Sequence, residues 1–300
     1  MRIKRYLYKR HSGQVSLIVA AGLIVILGVS ALVTDYGLAL VQQSRIQNAM
    51  DAAVLAGVSQ LVISEAAALT KANEYLTLND VATSEVVFSV NRPEGRILAQ
   101  GTRTQNTWFG KLLGIQTMAV HATSGAVMGV AGSVSGGLRP YAISDRYYDY
   151  GELITLKQDS SYHGNFGAVA LGGSGASVLR DNALNGYKGV LKIGDAIDTE
   201  PGNMIGVVNQ IKDKIATDSS TFTDYKPDSY RLWTIPVVDG LYVSGRESVT
   251  IVGFAQVFVE DVRNGGGKME IVGRFMRFVG SGEMQTGAAD YGVYVVKLDQ

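Results

Sequence analysis

Residues 15–33 read VSLIVAAGLIVILGVSALV, nineteen positions with no charge and only two serines. At about 1.5 Å per residue a helix of this length spans roughly 29 Å, close to the hydrocarbon thickness of a bilayer. A helix buried in a soluble domain seldom runs so far without a polar stripe. The flanks are unequal. Arg2, Lys4, Arg5, Lys9 and Arg10 crowd the first ten residues with no acid among them, whereas Asp35 comes first downstream and the next basic residue is Arg45. Basic residues stay on the cytoplasmic side of a membrane. The expected arrangement is a basic cytoplasmic head at 1–14, one transmembrane helix at 15–33, and everything beyond it outside the cytoplasm. Two other readings stay open. Val29-Ser30-Ala31 is a passable small-residue cleavage site for a signal peptide. A prepilin-type signal needs a Glu shortly after the cleaved Gly, and the position five beyond Gly13 is Ile18.

The helical pattern continues past the apolar run. From Asp35 to Leu61 there is no proline, and Ala49, Ala52, Ala53 and Ala56 fall at i, i+3, i+4 and i+7 on one face. Either alanine is there as a good helix former, or its small side chains make a seam for a partner subunit or for the next helix. One continuous rod of about 70 Å is then expected to leave the bilayer.

The chain has 300 residues, enough for one or two domains besides an anchor. Its 27 basic and 27 acidic residues cancel, so no global field draws it to nucleic acid. Cysteine is absent, which excludes a disulfide framework and thiolate metal sites. With 36 Gly and 5 Pro, the composition favours turns, bulges and strand connections over a helical bundle.

Three stretches are recognisable in order: Gly13-Gln14 before the apolar run, Asp35-Tyr36-Gly37 at its close, and Ile46-Gln47-Asn48-Ala49-Met50-Asp51-Ala52-Ala53-Val54-Leu55-Ala56-Gly57. Together they resemble the N-terminal segment of the TadG-like proteins of tight-adherence (Flp) pilus assembly, over residues 10–60. That family's pattern has Leu where this chain has Ile46. The resemblance implies an uncleaved anchor, a surface pilus system with other pilus-assembly or envelope proteins as partners, and no catalytic residue. Downstream, residues 64–79 suit a helix with Ser64 as N-cap. Strands are expected at 86–90, 97–104 and 117–127, with a short helix at 107–113. This helix-then-strands unit resembles the region after the anchor in TadE- and TadG-like proteins. Gly164-Asn165-Phe166-Gly167, Thr199-Glu200-Pro201-Gly202-Asn203, Pro236-Val237-Val238-Asp239 and Gly253-Phe254-Ala255 are similar to a C-terminal region often attached to this anchor, to which no activity is attached.

The small-residue stretch at 125–137 divides a helical and α+β stalk region at 34–130 from a β-rich extracytoplasmic domain at 138–300. Strands rich in Val, Ile, Phe and Tyr are expected there at 153–157, 190–193, 231–238, 248–261, 268–279 and 291–298. Residues 263–268 suit a hairpin turn. One helix is expected at 204–216, with Asn203 as N-cap. The fold class is thus α+β: a transmembrane helix extending into a long helix, a small α+β stalk, then a mostly antiparallel β domain with one helix.

Candidate chemistry is sparse. The run Leu171-Gly172-Gly173-Ser174-Gly175-Ala176-Ser177 lacks the Lys-Ser/Thr ending of a phosphate loop and the third glycine of a dinucleotide fingerprint, and it reads as a tight turn. His11 lies in the basic head and His121 in an alternating strand. His163 reads as an exposed loop residue, a ligand only if it converges with Asp195, Asp198 or Glu200. Those three acids make a cluster whose spacing matches no calcium loop, and Glu200-Pro201-Gly202-Asn203 reads as a shaped turn into a helix. Asp239-Gly240 and Glu260-Asp261 read as turns. Tyr147-Tyr148-Asp149-Tyr150 is an aromatic cluster, either part of the fold or a face for carbohydrate or protein. No catalytic residue, cofactor site or metal site is assigned. The expected function is a non-catalytic, membrane-anchored structural component of Flp/Tad-type pilus assembly or surface adhesion. The alternative is a membrane-tethered binding module for cell-wall or polysaccharide ligands.

Overall fold

The computed structural model describes residues 12–157, 167–200, 205–241, 245–265 and 268–299. The basic head up to His11, His163 with Gly164-Asn165-Phe166, the turn Pro201-Gly202-Asn203 and the hairpin tip at 266–267 lie outside them.

Helix α1 spans Ser12–Val58, 47 residues without a break. Its first part is apolar on every side, and the most apolar window of the helix is wholly unburied. Two hydroxyls near its end turn back onto the helix backbone. Ser30 donates to the Ile26 carbonyl and Thr34 to the Ser30 carbonyl, each at 2.8 Å, so neither hydroxyl needs water. Beyond Asp35 the pattern becomes one-sided. Ala39, Ile46, Ala49, Met50, Ala53, Val54 and Val58 form a buried stripe, the i, i+3, i+4 spacing of a helix lying on a sheet. Helix α2, Glu65–Leu78, folds back along it, with Ser64 accepting from the Ala67 amide at 3.0 Å as N-cap. The two helices meet at Gly57, where a Cβ would stand 3.0 Å from both the Ala68 carbonyl oxygen and the Ala72 Cβ. Ala49 and Ala53 of the alanine seam are enclosed in the same core as Ala68 and Ala72. Ala52 and Ala56 are half-buried.

Both helices cover one face of a sheet. Strands β1 (Val86–Asn91), β2 (Arg96–Asn106) and β3 (Thr117–Val130) form an antiparallel meander. Residues 107–116 connect β2 to β3 and contain a short 3-10 turn, Gly110–Leu113, at the place where a short helix is expected. The chain continues through β4 (Ser133–Ser135), β5 (Ile143–Ser144), β6 (Leu153–Lys157) and β7 (Val169–Ala170) to α3 (Ala176–Asn185). Then come β8 (Val190–Lys192), β9 (Ala196–Thr199), α4 (Ile205–Ala216), β10 (Leu232–Val238), β11 (Ser248–Gly265), β12 (Lys268–Met276), β13 (Phe278–Val279) and β14 (Val293–Leu298). The second sheet runs β5-β10-β11-β12-β6, antiparallel except where β5 lies parallel to β10. Helices α3 and α4 cover it, packing Leu179, Ala183, Val208 and Ile211 against Trp233, Ile235 and Val257.

This region therefore carries two helices where the sequence suggests one. Leu179, Asn182 and Ala183 are the buried side of α3, and Asn182 breaks the apolar period. It is buried because its amide donates to the Leu171 carbonyl at 2.7 Å. The glycine run before α3 is a strand-to-helix junction rather than an isolated turn. Gly172 has φ +71° and Gly175 φ +110°, conformations open to glycine and costly for other residues. Glu260-Asp261 is no turn either. It sits at a register shift within β11, which runs on to Gly265.

The last strand does not stay with the second sheet. β14 pairs antiparallel with β3, from Tyr294↔Val130 to Leu298↔Ala126, and parallel with β13, so the first sheet reads β1-β2-β3-β14-β13. Its faces alternate. Val296 and Leu298 pack on the α1/α2 core, while Val293 and Val295 join the cluster holding Ile197, Ile251 and Phe254.

Candidate functional site

A compact set of specific contacts lies where α1 leaves its apolar run. Asp35, two residues past that run, is buried, and its carboxylate accepts three consecutive backbone amides of the β2–β3 loop. Trp108 donates to Oδ1 at 2.7 Å, and Phe109 and Gly110 donate to Oδ2 at 3.0 and 2.7 Å. Burial opposes the charge, but the three amide donors outweigh it and hold the carboxyl below its ordinary value. The loop is also braced from within. Thr107 donates to the Ile115 and Gln116 carbonyls, and the Ile115 amide returns to the Gly110 carbonyl at 2.9 Å. Between this loop and the last turns of the apolar run is a groove of about 630 Å³. Leu27, Ala31, Phe109, Leu113 and Ile115 are among its walls.

Further along α1, polar side chains fasten the helix to the sheet. β14 covers β3 only from Ala126 onward, so the earlier part of β3 is an edge with carbonyls lacking a strand partner. Gln43 and Gln47 donate to two of them, His121 at 3.3 Å and Thr123 at 2.9 Å. Asp51 accepts from Gln47 Nε2 at 2.8 Å and from Ser124 Oγ at 2.6 Å. Arg103 of β2 reaches Glu85 through Nε and Nη2, at 3.0 and 2.6 Å, and gives Nη1 to Gln42 at 3.1 Å. The hydrogen bond from Arg103 holds the Glu85 carboxyl below its usual range, against the opposing effect of burial. The motif residues Gln47 and Asp51 thus serve the fold, a role that needs the position of β3 and is invisible in their spacing.

A second concavity, about 330 Å³, lies on the far unit between Asp145, Arg146, Tyr148, Arg277, Asp290 and Tyr291. Tyr291 donates to Asp145, and Tyr294 donates to Asp290 at 2.7 Å. Burial first, then the carboxylate each one faces, raises both phenols above their ordinary value. The tyrosine cluster divides. Tyr148 is buried, stacked on Phe275 at 5.6 Å with the Arg146 guanidinium over its ring at 4.0 Å, while Tyr147 and Tyr150 remain exposed.

The acids near residue 200 scatter. Asp195 accepts from the Lys192 amide at 2.8 Å in a local turn, and Asp198 is exposed. Glu200 is buried and paired with Arg246 at 2.8 Å, with Gly175 donating its amide at 3.3 Å. Among the described residues no three His, Asp or Glu side chains are grouped so as to hold a metal ion. His121 is exposed, with Thr102 beside it at 3.2 Å. Asp239 accepts from the Thr250 amide at 3.0 Å and serves the end of β10.

This geometry defines a class: a folded α+β body carried on one helix whose near-terminal part is long and apolar enough to cross a membrane. Residues 13–60 match the Tad family model, "Putative Flp pilus-assembly TadE/G-like". The match covers α1 from its second residue to the first residues of the turn after it, a stretch that contains Asp35, Gln47 and Asp51. No curated protein and no solved structure matches the chain.

Proposed function

We infer that this chain is a non-catalytic structural component of Flp/Tad-type pilus assembly or surface adhesion. In this reading α1 anchors it as a single-pass membrane protein, with the basic head in the cytoplasm and the folded body outside. The observation that carries the reading is the continuity of α1. The Tad-matching segment is one rod, bare and apolar at one end and built into the first core at the other. Such a rod transmits position from the bilayer to the body without a flexible joint, which suits a scaffold. The lysine and arginine excess before residue 15 supports the orientation.

Protease protection of membrane vesicles with a tag at either end tests the orientation. The C-terminal tag should be digested only from the extracytoplasmic face. Co-purification of the full chain with pilus-assembly proteins in mild detergent tests the partnership. Recovery of the chain alone, at normal expression of those proteins, refutes it. A second reading, a tethered polysaccharide-binding module, rests on the cleft at Asp145, where exposed Tyr147 stands beside charged groups of both signs. Retention of the detergent-solubilised chain on purified cell wall, lost in Tyr147→Ala, would favour it.

A further inference from the structure

We propose that the β2–β3 loop, residues 107–116, is a second membrane contact: it dips into the leaflet at which α1 leaves the bilayer and lays its side chains among lipid acyl chains. The proposal rests on the reading of α1 as the anchor. The loop exposes Trp108, Phe109, Leu112, Leu113 and Ile115 together, with Trp108 at 73%, Leu112 at 84% and Leu113 at 80%. So contiguous an apolar patch on a braced loop marks a binding surface. Its position on the molecule identifies the occupant. The groove between loop and helix reaches back along α1 to Leu27. From Leu27 to Val33 is about 9 Å of helix rise, so the loop runs beside the outermost part of the membrane span. Any lipid that surrounds this part of α1 also meets the loop.

The chemistry of the loop fits that depth. Its one aromatic indole, Trp108, and its one charge, the exposed Lys111, are residue types that settle at the level of the headgroups, with Leu and Phe below them. Three of the loop's amides, at Trp108, Phe109 and Gly110, are meanwhile held by Asp35, and its Thr107 hydroxyl is satisfied internally, which lowers the cost of bringing polar backbone near hydrocarbon. Asp35 therefore fixes the loop at one height on the helix, and the body stands on two points rather than one.

The two tryptophans make this measurable. Trp233 is wholly enclosed, so only Trp108 can meet a quencher carried by lipid. The full chain is reconstituted in phosphatidylcholine vesicles, plain or brominated at shallow or deep acyl carbons, and membrane insertion is checked by alkaline washing and flotation. The expected result is strong quenching by shallow bromine, weaker quenching by deep bromine, and loss of both in Trp108→Phe. Leu112→Asp with Leu113→Asp, at side chains the fold leaves exposed, should lower the quenching and shift the emission to the red while far-UV circular dichroism is unchanged. If the chain floats with the vesicles after the wash but Trp108 emission ignores bromine, the proposal falls and the anchor stands. That outcome would cover a loop in water, read by iodide quenching, and a loop buried against protein, read by its absence. If the chain washes off, the anchor reading falls and takes the proposal with it.

Discussion

Asp51→Ala asks whether the Tad-matching motif serves this chain's own fold or a partner. In the structure the Asp51 carboxylate takes a hydrogen bond from Ser124 Oγ at 2.6 Å and another from Gln47 Nε2 at 2.8 Å, and Gln47 in turn closes the Thr123 carbonyl. Hydrogen bonds to a charged partner contribute about 1.5–3 kcal/mol. Removing Asp51 strands the Ser124 hydroxyl and frees Gln47, so a loss of about 1.5–3 kcal/mol is expected. For a body of this size that lowers Tm by roughly 3–10 °C. Asp51→Asn keeps an acceptor and should lose less. The assay is thermal and urea unfolding in detergent, followed by a double-mutant cycle with Ser124→Ala. A coupling of about 1 kcal/mol or more between the two positions is expected, because they share one contact. A stability unchanged within about 0.5 kcal/mol for Asp51→Ala, combined with loss of binding to a pilus-assembly protein, would refute the reasoning and turn the motif outward.

Ile46 is completely enclosed beneath Gly101, so Ile46→Ala should cost about 2–5 kcal/mol in urea unfolding, while Leu27→Ala on the bare part of α1 leaves that transition in place. Glu85 has a depressed carboxyl in the folded chain, so its contribution is complete above the ordinary carboxylate range and disappears as pH falls through the folded value. The Tm difference between the native chain and Glu85→Gln should therefore be widest near neutrality and close as the pH is taken below about 4; a difference that widens in acid contradicts the pairing with Arg103. A fragment beginning at Leu138 removes β3 and leaves β14 with an open edge, so it should aggregate or lose its sharp transition. Cooperative melting of that fragment as a monomer, at the Tm of the whole chain, would count against the role given to β14.

The apolar run was legible because its argument needs only length and charge. Nineteen uncharged residues make a helix that fits a bilayer whatever the rest of the chain does. Local chemistry likewise gave α2 with its Ser64 cap, the strands β1 to β3 though not their pairing, and α4, since caps and period-2 or period-3.6 patterns act between neighbours in sequence. Helix α3 was hidden because its buried face includes Asn182, whose burial is tolerable only with the Leu171 carbonyl in front of it. The bulge at Glu260 depends on the partner strand β12, and no pattern within β11 announces it.

Pairings across long separations were decided by the tertiary structure alone. Nothing near Val293–Leu298 says that this strand will pair with β3, some 170 residues earlier; its two apolar faces fit because one core waits on each side. Asp35 and Asp51 read in the sequence as parts of a family pattern. Their work became visible only when the loop at Trp108 and the strand at Ser124 were brought against the helix, because a hydrogen bond is set by position in space and the spacing of letters along α1 carries no record of what lies opposite.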